Sequence, residues 1–234
     1  MYDKIALAAP FFEIGPKCYL YGEQLLALVR AADKASRKYG VPVIFDPPCA
    51  SIHQVAAIAD DLLVFAQHID AIEPGRGMGA VTAEDVKAAG AVGVILNHAE
   101  KPVSLAALAH TIRRADRVGL ATMVCADSIA EAAAVAHLGP NIVVAEPTEL
   151  IGSGKTSSAE YVRRSIEAVK AVDDRILVLQ GAGISCGQDV YEVIKAGADG
   201  TGSSSGIVKA QDPAAMIDEM LCAVRTAWDE NHAS

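Results

Sequence analysis

Short apolar runs alternate with longer segments of helical periodicity along the whole chain. Each run has the length of a buried strand and is followed by apolar residues at helical spacing. The predicted strands are 4–9, 41–45, 62–66, 91–95, 119–125, 141–145, 176–180 and a weak one at 199–204. The predicted helices are 23–38, a short one at 50–59, 83–89, 104–116, 129–137, 158–171, 187–196 and 213–229. Repeated strand-then-helix units predict a parallel sheet.

The even spread of eight such units predicts one closed (β/α)₈ TIM barrel, a single domain over residues 1–234. The alternative is a doubly wound open sheet, but the G-x-G-x-x-G fingerprint is missing after the first strand. Barrels of this kind carry their chemistry at the carboxyl ends of the strands and in the loops that follow. We therefore expect the functional residues at those positions.

Composition narrows the classes of partner. The formal net charge is -9 and no basic run offsets it, which argues against nucleic acid and anionic membrane surfaces. No apolar stretch is long enough to span a membrane, and no signal-peptide pattern is found. The five cysteines are scattered and show no metal-ligand spacing, so we expect free thiols in the cytoplasm and no metal.

Two polar positions follow apolar strands. His98 comes just after the fourth predicted strand, between Asn97 and Glu100, where it could polarise a carbonyl or instead cap the next helix. Glu146 ends the uninterrupted apolar run of the sixth strand. A carboxylate there is costly unless it is solvated, paired or functional, and partial burial would raise its pKa towards that of a general base.

Small residues dominate the loops after the last two strands. Such loops leave backbone N–H groups bare, and barrels commonly bind phosphate between them. The predicted phosphate-binding residues are Gly183, Ser185, Ser204 and Ser205, together with Gly152 and Ser153 from the loop after the sixth strand.

Several stretches, in this order, resemble the triosephosphate isomerase family, particularly its short archaeal type. They are VFAQHID (64–70), AGAVGVILNHAE (89–100), LGPNIVVAEPTELIGSG (138–154), LVLQGAGIS (177–185) and SSSGIVKAQDP (203–213). The resemblance implies an isomerase that interconverts a small phosphorylated aldose and ketose through an enediolate, without a cofactor. It also implies a homodimer or homotetramer.

The resemblance further implies roles for individual residues. Glu146 corresponds to the base that moves a proton between adjacent carbons, and His98 to the neutral electrophile. Glu100 corresponds to a carboxylate beside the family's catalytic lysine. Residues 147–156 correspond to the loop that closes over the substrate and excludes water. Gly152, Ser185, Ser204 and Ser205 correspond to the phosphate cradle.

The first strand departs from the family pattern. Aligning Lys17 with the family lysine puts Gly15 in place of an asparagine and inserts several residues after the predicted strand 4–9; the alternative is a surface lysine on a longer loop. Glu13 then becomes an extra acidic group near the barrel mouth.

Further departures fall around the substrate. Thr201, Gly202 and Ser203 replace bulky apolar residues and should open space, and Met78 replaces a threonine on a loop that in the family enters a neighbouring subunit. The hypotheses are a triose phosphate isomerase, a paralogue acting on a larger sugar phosphate such as a four-carbon ketose phosphate, and a barrel that binds a phosphorylated ligand without catalysis.

Overall fold

Eight parallel strands close into a barrel in chain order, from β1 next to β2 round to β8 next to β1. The computed structural model describes residues 1–3, 5–151 and 156–233. The strands are β1 Phe11–Ile14, β2 Val43–Phe45, β3 Leu62–Ala66, β4 Gly93–Leu96, β5 Ala121–Ala126, β6 Ile142–Ala145, β7 Leu177–Gln180 and β8 Gly200–Ser203. The predicted (β/α)₈ barrel is confirmed, and the open-sheet alternative is wrong.

Helices follow the strands and cover the outside of the barrel. They are α1 Gly22–Tyr39, α2 Ile52–Ala56, α3 Ala83–Ala88, α4 Leu105–Val118, α5 Ile129–Ala136, α6 Ala159–Lys170, α7 Gly187–Lys195, α8 Ser205–Val208 and α9 Pro213–His232. Thr82, Ser104 and Ser128 accept hydrogen bonds from backbone N–H groups three residues on, which confirms the helix starts expected at these positions. Among the described residues, no helix has the length and apolarity that a membrane crossing requires.

The position predicted for the first strand is wrong. Residues 5–8 form no strand, and β1 begins at Phe11. Ile5 and Leu7 pack instead against the side chains inside the barrel, together with Tyr2, whose carbonyl accepts a hydrogen bond from Asn141. The N-terminal segment therefore adds apolar surface to the inner core without forming a strand. This packing explains why the segment is hydrophobic.

Glycines on two strands, β4 and β8, make room for large side chains inside the barrel. Phe11 pairs with Gly200 across β1 and β8, and Phe65 pairs with Gly93 across β3 and β4. A Cβ at Gly200 would lie 2.6 Å from the Phe11 ring, and one at Gly93 would also collide with the Phe65 ring. The glycines that lower the strand propensity of β8 are therefore explained by packing. They leave room for the side chains that β1 projects into the barrel.

We expect Gly200→Ala to destabilise the protein by about 1–3 kcal/mol, because the added methyl overpacks against Phe11. Phe11→Leu on the same background should recover part of the loss, and urea unfolding of both single variants and the double variant measures the coupling. Strictly additive effects would contradict the contact as the cause.

Candidate active site

One cavity of about 760 Å³ opens at the carboxyl ends of the strands. Its lining contains most of the residues that the sequence singled out. They are Lys17, His98, Glu100, Glu146, Gly183, Ser185, Ser204 and Ser205. The predicted residues thus converge on one site, as expected for a barrel of parallel strands.

Asn97 shapes the turn after β4. Its backbone is left-handed, with φ 59°, a conformation that asparagine tolerates better than most residues. Its side-chain amide donates to the carbonyl of Cys125 at 3.1 Å, and its side-chain oxygen accepts from the backbone N–H of Val103 at 3.2 Å. These bonds tie the loop to β5 and fix the orientation of the next residue, His98.

His98 is held as a hydrogen-bond donor towards the cavity. Its Nδ1 accepts from the backbone N–H of Glu100 at 3.1 Å, so the proton of the neutral ring lies on Nε2. Burial lowers the pKa of His98, the Lys17 cation lowers it further, and Glu100 opposes the change. The ring therefore stays neutral near pH 7, and it has no role in capping the next helix, whose cap is Ser104.

Glu146 lies opposite His98. Their closest atoms, Glu146 Oε1 and His98 Nε2, are 3.8 Å apart, and only 11% of the Glu146 side chain is exposed. Burial raises the pKa of Glu146 to about 7; the thiol of Cys125, which hydrogen-bonds the carboxylate, and the charge of Lys17 oppose the rise, and Glu13 adds to it. Its titration therefore falls close to neutral pH, in the range that suits a general base.

Lys17 joins this group from the loop after β1. Its Nζ lies 2.7 Å from Glu100 Oε1, and its charge lowers the pKa of that carboxyl. Only Gly15 and Pro16 separate it from the end of β1, so the insertion expected after the first strand is wrong; the extra residues precede β1. Gln67 donates to the carbonyls of Lys17 and Asp46, which holds the loop against β2 and β3.

The loops after β7 and β8 touch because residue 206 is glycine. A Cβ at Gly206 would lie 2.8 Å from the carbonyl oxygen of Ile184 and 3.0 Å from Cα of Ser185. Ser203 Oγ donates to the same carbonyl at 2.9 Å. The close approach places Ser185 beside Gly206, and the buried Oγ of Ser204 has no partner among the residues that the structure describes.

Ser185 already has an internal partner. Its N–H and hydroxyl both donate to Asp189 Oδ2, at 2.8 and 2.7 Å. Cys186 N–H donates to the same oxygen at 3.2 Å. The loop before α7, on one side of the predicted phosphate site, therefore carries a carboxylate of the chain itself.

Two predicted residues cannot be placed. Gly152 and Ser153 lie outside the described residues, whereas Ile151 just before them lines the cavity. Over the parts of the chain that are described, no three His, Cys, Asp or Glu side chains group closely enough to hold a metal ion.

Four charged residues of the cavity lining have no role predicted from the sequence: Glu13, expected only as an extra acidic group near the mouth, Asp46, Lys101 and Lys209. Glu13 and Asp46 lie at the ends of β1 and β2, and Lys209 follows α8, with its Nζ 5.3 Å from the centre of the Tyr19 ring. The alternation of β1 could have revealed Glu13, because Phe11 faces the inside of the barrel and residue 13 must do the same. The misplaced first strand hid that signal.

Comparison with known proteins bears on this site. The family model for triosephosphate isomerase matches residues 14–220. The triosephosphate isomerase of Sulfurisphaera tokodaii is 36% identical over 225 residues, covering 94% of this chain and 97% of that protein. The enzyme of the same name from Methanopyrus kandleri is 43% identical over 204 residues, covering 86% of this chain and 90% of that protein.

A solved structure supports the fold. The crystal structure of triosephosphate isomerase from Bartonella henselae superposes with a TM-score of 0.77 at 17% identity, covering 93% of this chain and 99% of that chain.

We expect Glu146→Gln to raise the free energy of unfolding above pH 7, by up to about 3 kcal/mol, because a carboxyl whose pKa rises from 4.5 to about 7 on folding opposes folding once ionised. Between these two pH values the folded protein keeps a proton that the unfolded chain has released, so the wild type loses stability as pH rises. Urea unfolding at pH 4.5 and pH 8 measures the difference.

The matched control is Glu149→Gln, an exposed residue of the same loop, which should change stability little at either pH. An equal gap between wild type and Glu146→Gln at both pH values would contradict the burial of an ionisable group at this position.

Proposed function

This chain belongs to the triosephosphate isomerase family, and from that premise we propose that it isomerises a small phosphorylated aldose–ketose pair by proton transfer through an enediolate. The observation that carries the proposal is the 3.8 Å approach of Glu146 and His98 across the mouth of the barrel. A carboxylate next to a neutral N–H donor is the pairing that proton abstraction beside a carbonyl requires.

The reaction can be written with these two side chains and Lys17. The carbonyl oxygen of the substrate accepts hydrogen bonds from His98 Nε2–H and the Lys17 ammonium. Glu146 removes a proton from the adjacent carbon, whose electron pair forms the carbon–carbon double bond while the carbonyl oxygen takes the negative charge. Protons then move between the two oxygens through His98, and Glu146 returns its proton to the former carbonyl carbon. The substrate gains and loses no atoms.

The surroundings of Glu146 suit this role. Because burial raises its pKa to about 7, it is a stronger base than an exposed carboxylate and is still largely ionised at slightly alkaline pH. The neutral imidazole of His98 is a weaker acid than the imidazolium ion, which matches it to the weakly acidic hydroxyls of an enediol.

The phosphate group is proposed to bind between the loops after β7 and β8. Ser204 offers a buried hydroxyl without a partner among the described residues, Ser205 begins α8, and Lys209 supplies a positive charge at the rim. Gly183 and Ser185 border the same space. Gly152 and Ser153 belong to the proposal by resemblance alone.

A barrel that binds a phosphorylated ligand without catalysis is the alternative. The convergence of Glu146, His98 and Lys17 on one cavity favours catalysis, because binding alone does not require a carboxylate beside the donor atoms. We further propose that residues 1–234 form one domain, that the protein is a homodimer or homotetramer, and that it works in the cytoplasm without a cofactor or a metal.

Glu146→Gln is expected to lower kcat by about 10³-fold or more while inorganic phosphate and substrate analogues still bind, since the amide keeps the shape but cannot accept the carbon-bound proton. Coupled assays with glyceraldehyde 3-phosphate and with tetrose phosphates give the rates. Glu167→Gln, at an exposed position on α6, is the control, and turnover of any of these substrates in D₂O should place deuterium on the reacting carbon. Full activity in Glu146→Gln would show that the base lies elsewhere.

The pH profile follows from the pKa of about 7. We expect kcat/KM to be level above pH 8 and to fall about tenfold per pH unit below pH 6, because the protonated carboxyl cannot act as the base. Phosphate esters themselves take up a proton near pH 6, so the dissociation constant of sulfate, whose charge is constant in this range, is measured in parallel. A profile that stays level down to pH 5.5 would contradict the raised pKa.

A further inference from the structure

Two carboxyl groups on the wall of the cavity have no part in the proposed reaction. Glu13 projects into the barrel from β1, and Asp46 follows directly after β2, the next strand. Both line the cavity, and they lie within hydrogen-bonding reach of each other. Asp46 is only 4% exposed, and within the described part of the chain its Oδ1 has no hydrogen-bond partner. A buried acceptor without a partner beside a cavity points to a ligand group that completes it.

The pair is built around glycines on both sides. A Cβ at Gly15 would lie 2.6 Å from Glu13 Oε1 and 3.3 Å from Asp46 Oδ2. A Cβ at Gly202 would collide with the Glu13 carboxylate. The space expected from the small residues of β8 is therefore filled at Gly202 by Glu13, and that expectation is corrected: this wall of the cavity gains polar oxygens rather than volume.

Ionisation of both carboxyls at once is disfavoured at this wall of the cavity. Burial raises the pKa of both groups, and the neighbouring Glu13 raises the pKa of Asp46 well above its ordinary value, while the charge of Lys17 acts in the opposite direction on both. Two carboxyls in contact cannot both ionise cheaply. A carboxyl that keeps its proton offers an O–H, and an ionised one offers free lone pairs.

Such a pair recognises hydroxyl groups. An alcohol can donate to the lone pairs of the carboxylate and accept from a protonated carboxyl, whereas a phosphate would be repelled by the charge. A triose phosphate has only two oxygens outside its phosphate, and in the proposed reaction both belong to the reacting carbons at His98 and Lys17. Only a sugar phosphate with a fourth carbon therefore has a further hydroxyl that Glu13 and Asp46 can bind.

We propose that Glu13 and Asp46 form a hydroxyl-binding subsite that makes the enzyme selective for phosphorylated sugars with at least four carbons over triose phosphates. The inference rests on the proposed function for its reaction, but the binding subsite can be tested without turnover. The two carboxyls act as specificity-determining residues, and Gly15 and Gly202 are the positions that make room for Glu13.

The first test compares the binding of two polyol phosphates that differ by one hydroxymethylene group. Glycerol 3-phosphate and erythritol 4-phosphate cannot be isomerised, and titration calorimetry at pH 8.5 gives their dissociation constants. The wild type should bind the four-carbon ligand about 10-fold or more tightly than the three-carbon ligand. Glu13→Gln and Asp46→Asn should each reduce this ratio to about 2 or less and leave the dissociation constant of glycerol 3-phosphate within about threefold.

The second test uses rates. With erythrose 4-phosphate or an erythrulose phosphate, Glu13→Gln should lower kcat/KM by about 10- to 100-fold, but with glyceraldehyde 3-phosphate by less than about threefold. The rates are measured on the alkaline plateau, because removing Glu13 also removes a charge that raises the pKa of Glu146. Glu13→Gln and Asp46→Asn are tested separately, and the folding of each is checked by thermal unfolding. The subsite can therefore be tested even if one of the two variants misfolds.

The outcomes separate the two proposals. A binding ratio near 1 in the wild type, or an unchanged ratio in both variants, overturns the subsite even if triose phosphate is turned over. Absence of turnover with every sugar phosphate overturns the proposed function, while a binding ratio that depends on Glu13 and Asp46 would still support the subsite.

Discussion

The inner faces of eight strands must fill one narrow cylinder, and this chain meets that constraint by placing a large side chain against a glycine on the neighbouring strand. Phe11 lies against Gly200 and Phe65 against Gly93. The same pairing of a large side chain with a glycine recurs one layer higher, where Gly202 faces Glu13. Fold and site are therefore linked through strand register: a shift of β8 against β1 would disturb both the core and the wall of the cavity.

The site above that core holds more negative than positive groups in a poorly hydrated space. Glu13, Asp46 and Glu146 face the cavity with Lys17 close to them, and Lys17 is itself paired with Glu100. Burial raises the pKa values of the first three, the charge of Glu13 adds to the rise at Asp46 and Glu146, and the lysine limits it. His98 is neutral because burial and the charge of Lys17, which lower its pKa, outweigh the nearby Glu100, which raises it. The ionisation of each group thus depends on its neighbours.

Much of the barrel could be predicted from the sequence because its signals are local. Seven of the eight strands were placed correctly. Six of them are apolar runs followed by a helical segment, and the weak eighth, Gly200–Ser203, follows from the repeat of strand-then-helix units. The first strand was misplaced because residues 5–9 form an unbroken apolar run, whereas Phe11–Ile14 is interrupted by a glutamate. Hydrophobicity could not tell a segment that packs against the inner core from a strand of the barrel wall.

The candidate site shows the same division. Glu146 and His98 were found because each directly follows a strand, whereas the Glu13–Asp46 pair depends on the register between β1 and β2 and on glycines far away in sequence. The bonds from Ser185 to Asp189 were equally hidden, since they depend on how the start of α7 is capped. Contacts of this kind are set by tertiary packing, on which hydrophobic periodicity carries no information.

The carboxylate of Asp189 has a consequence for any anion that reaches the start of α7. Because it already occupies the donors of Ser185 and Cys186, an incoming phosphate has to displace a resident group of equal sign. Binding of such an anion then replaces one negative group with another. Its dissociation is assisted because the Asp189 carboxylate returns to the donors of Ser185 and Cys186. If the phosphate of a substrate binds there, the cost falls on substrate and product alike, which weakens the binding of both and favours rapid release.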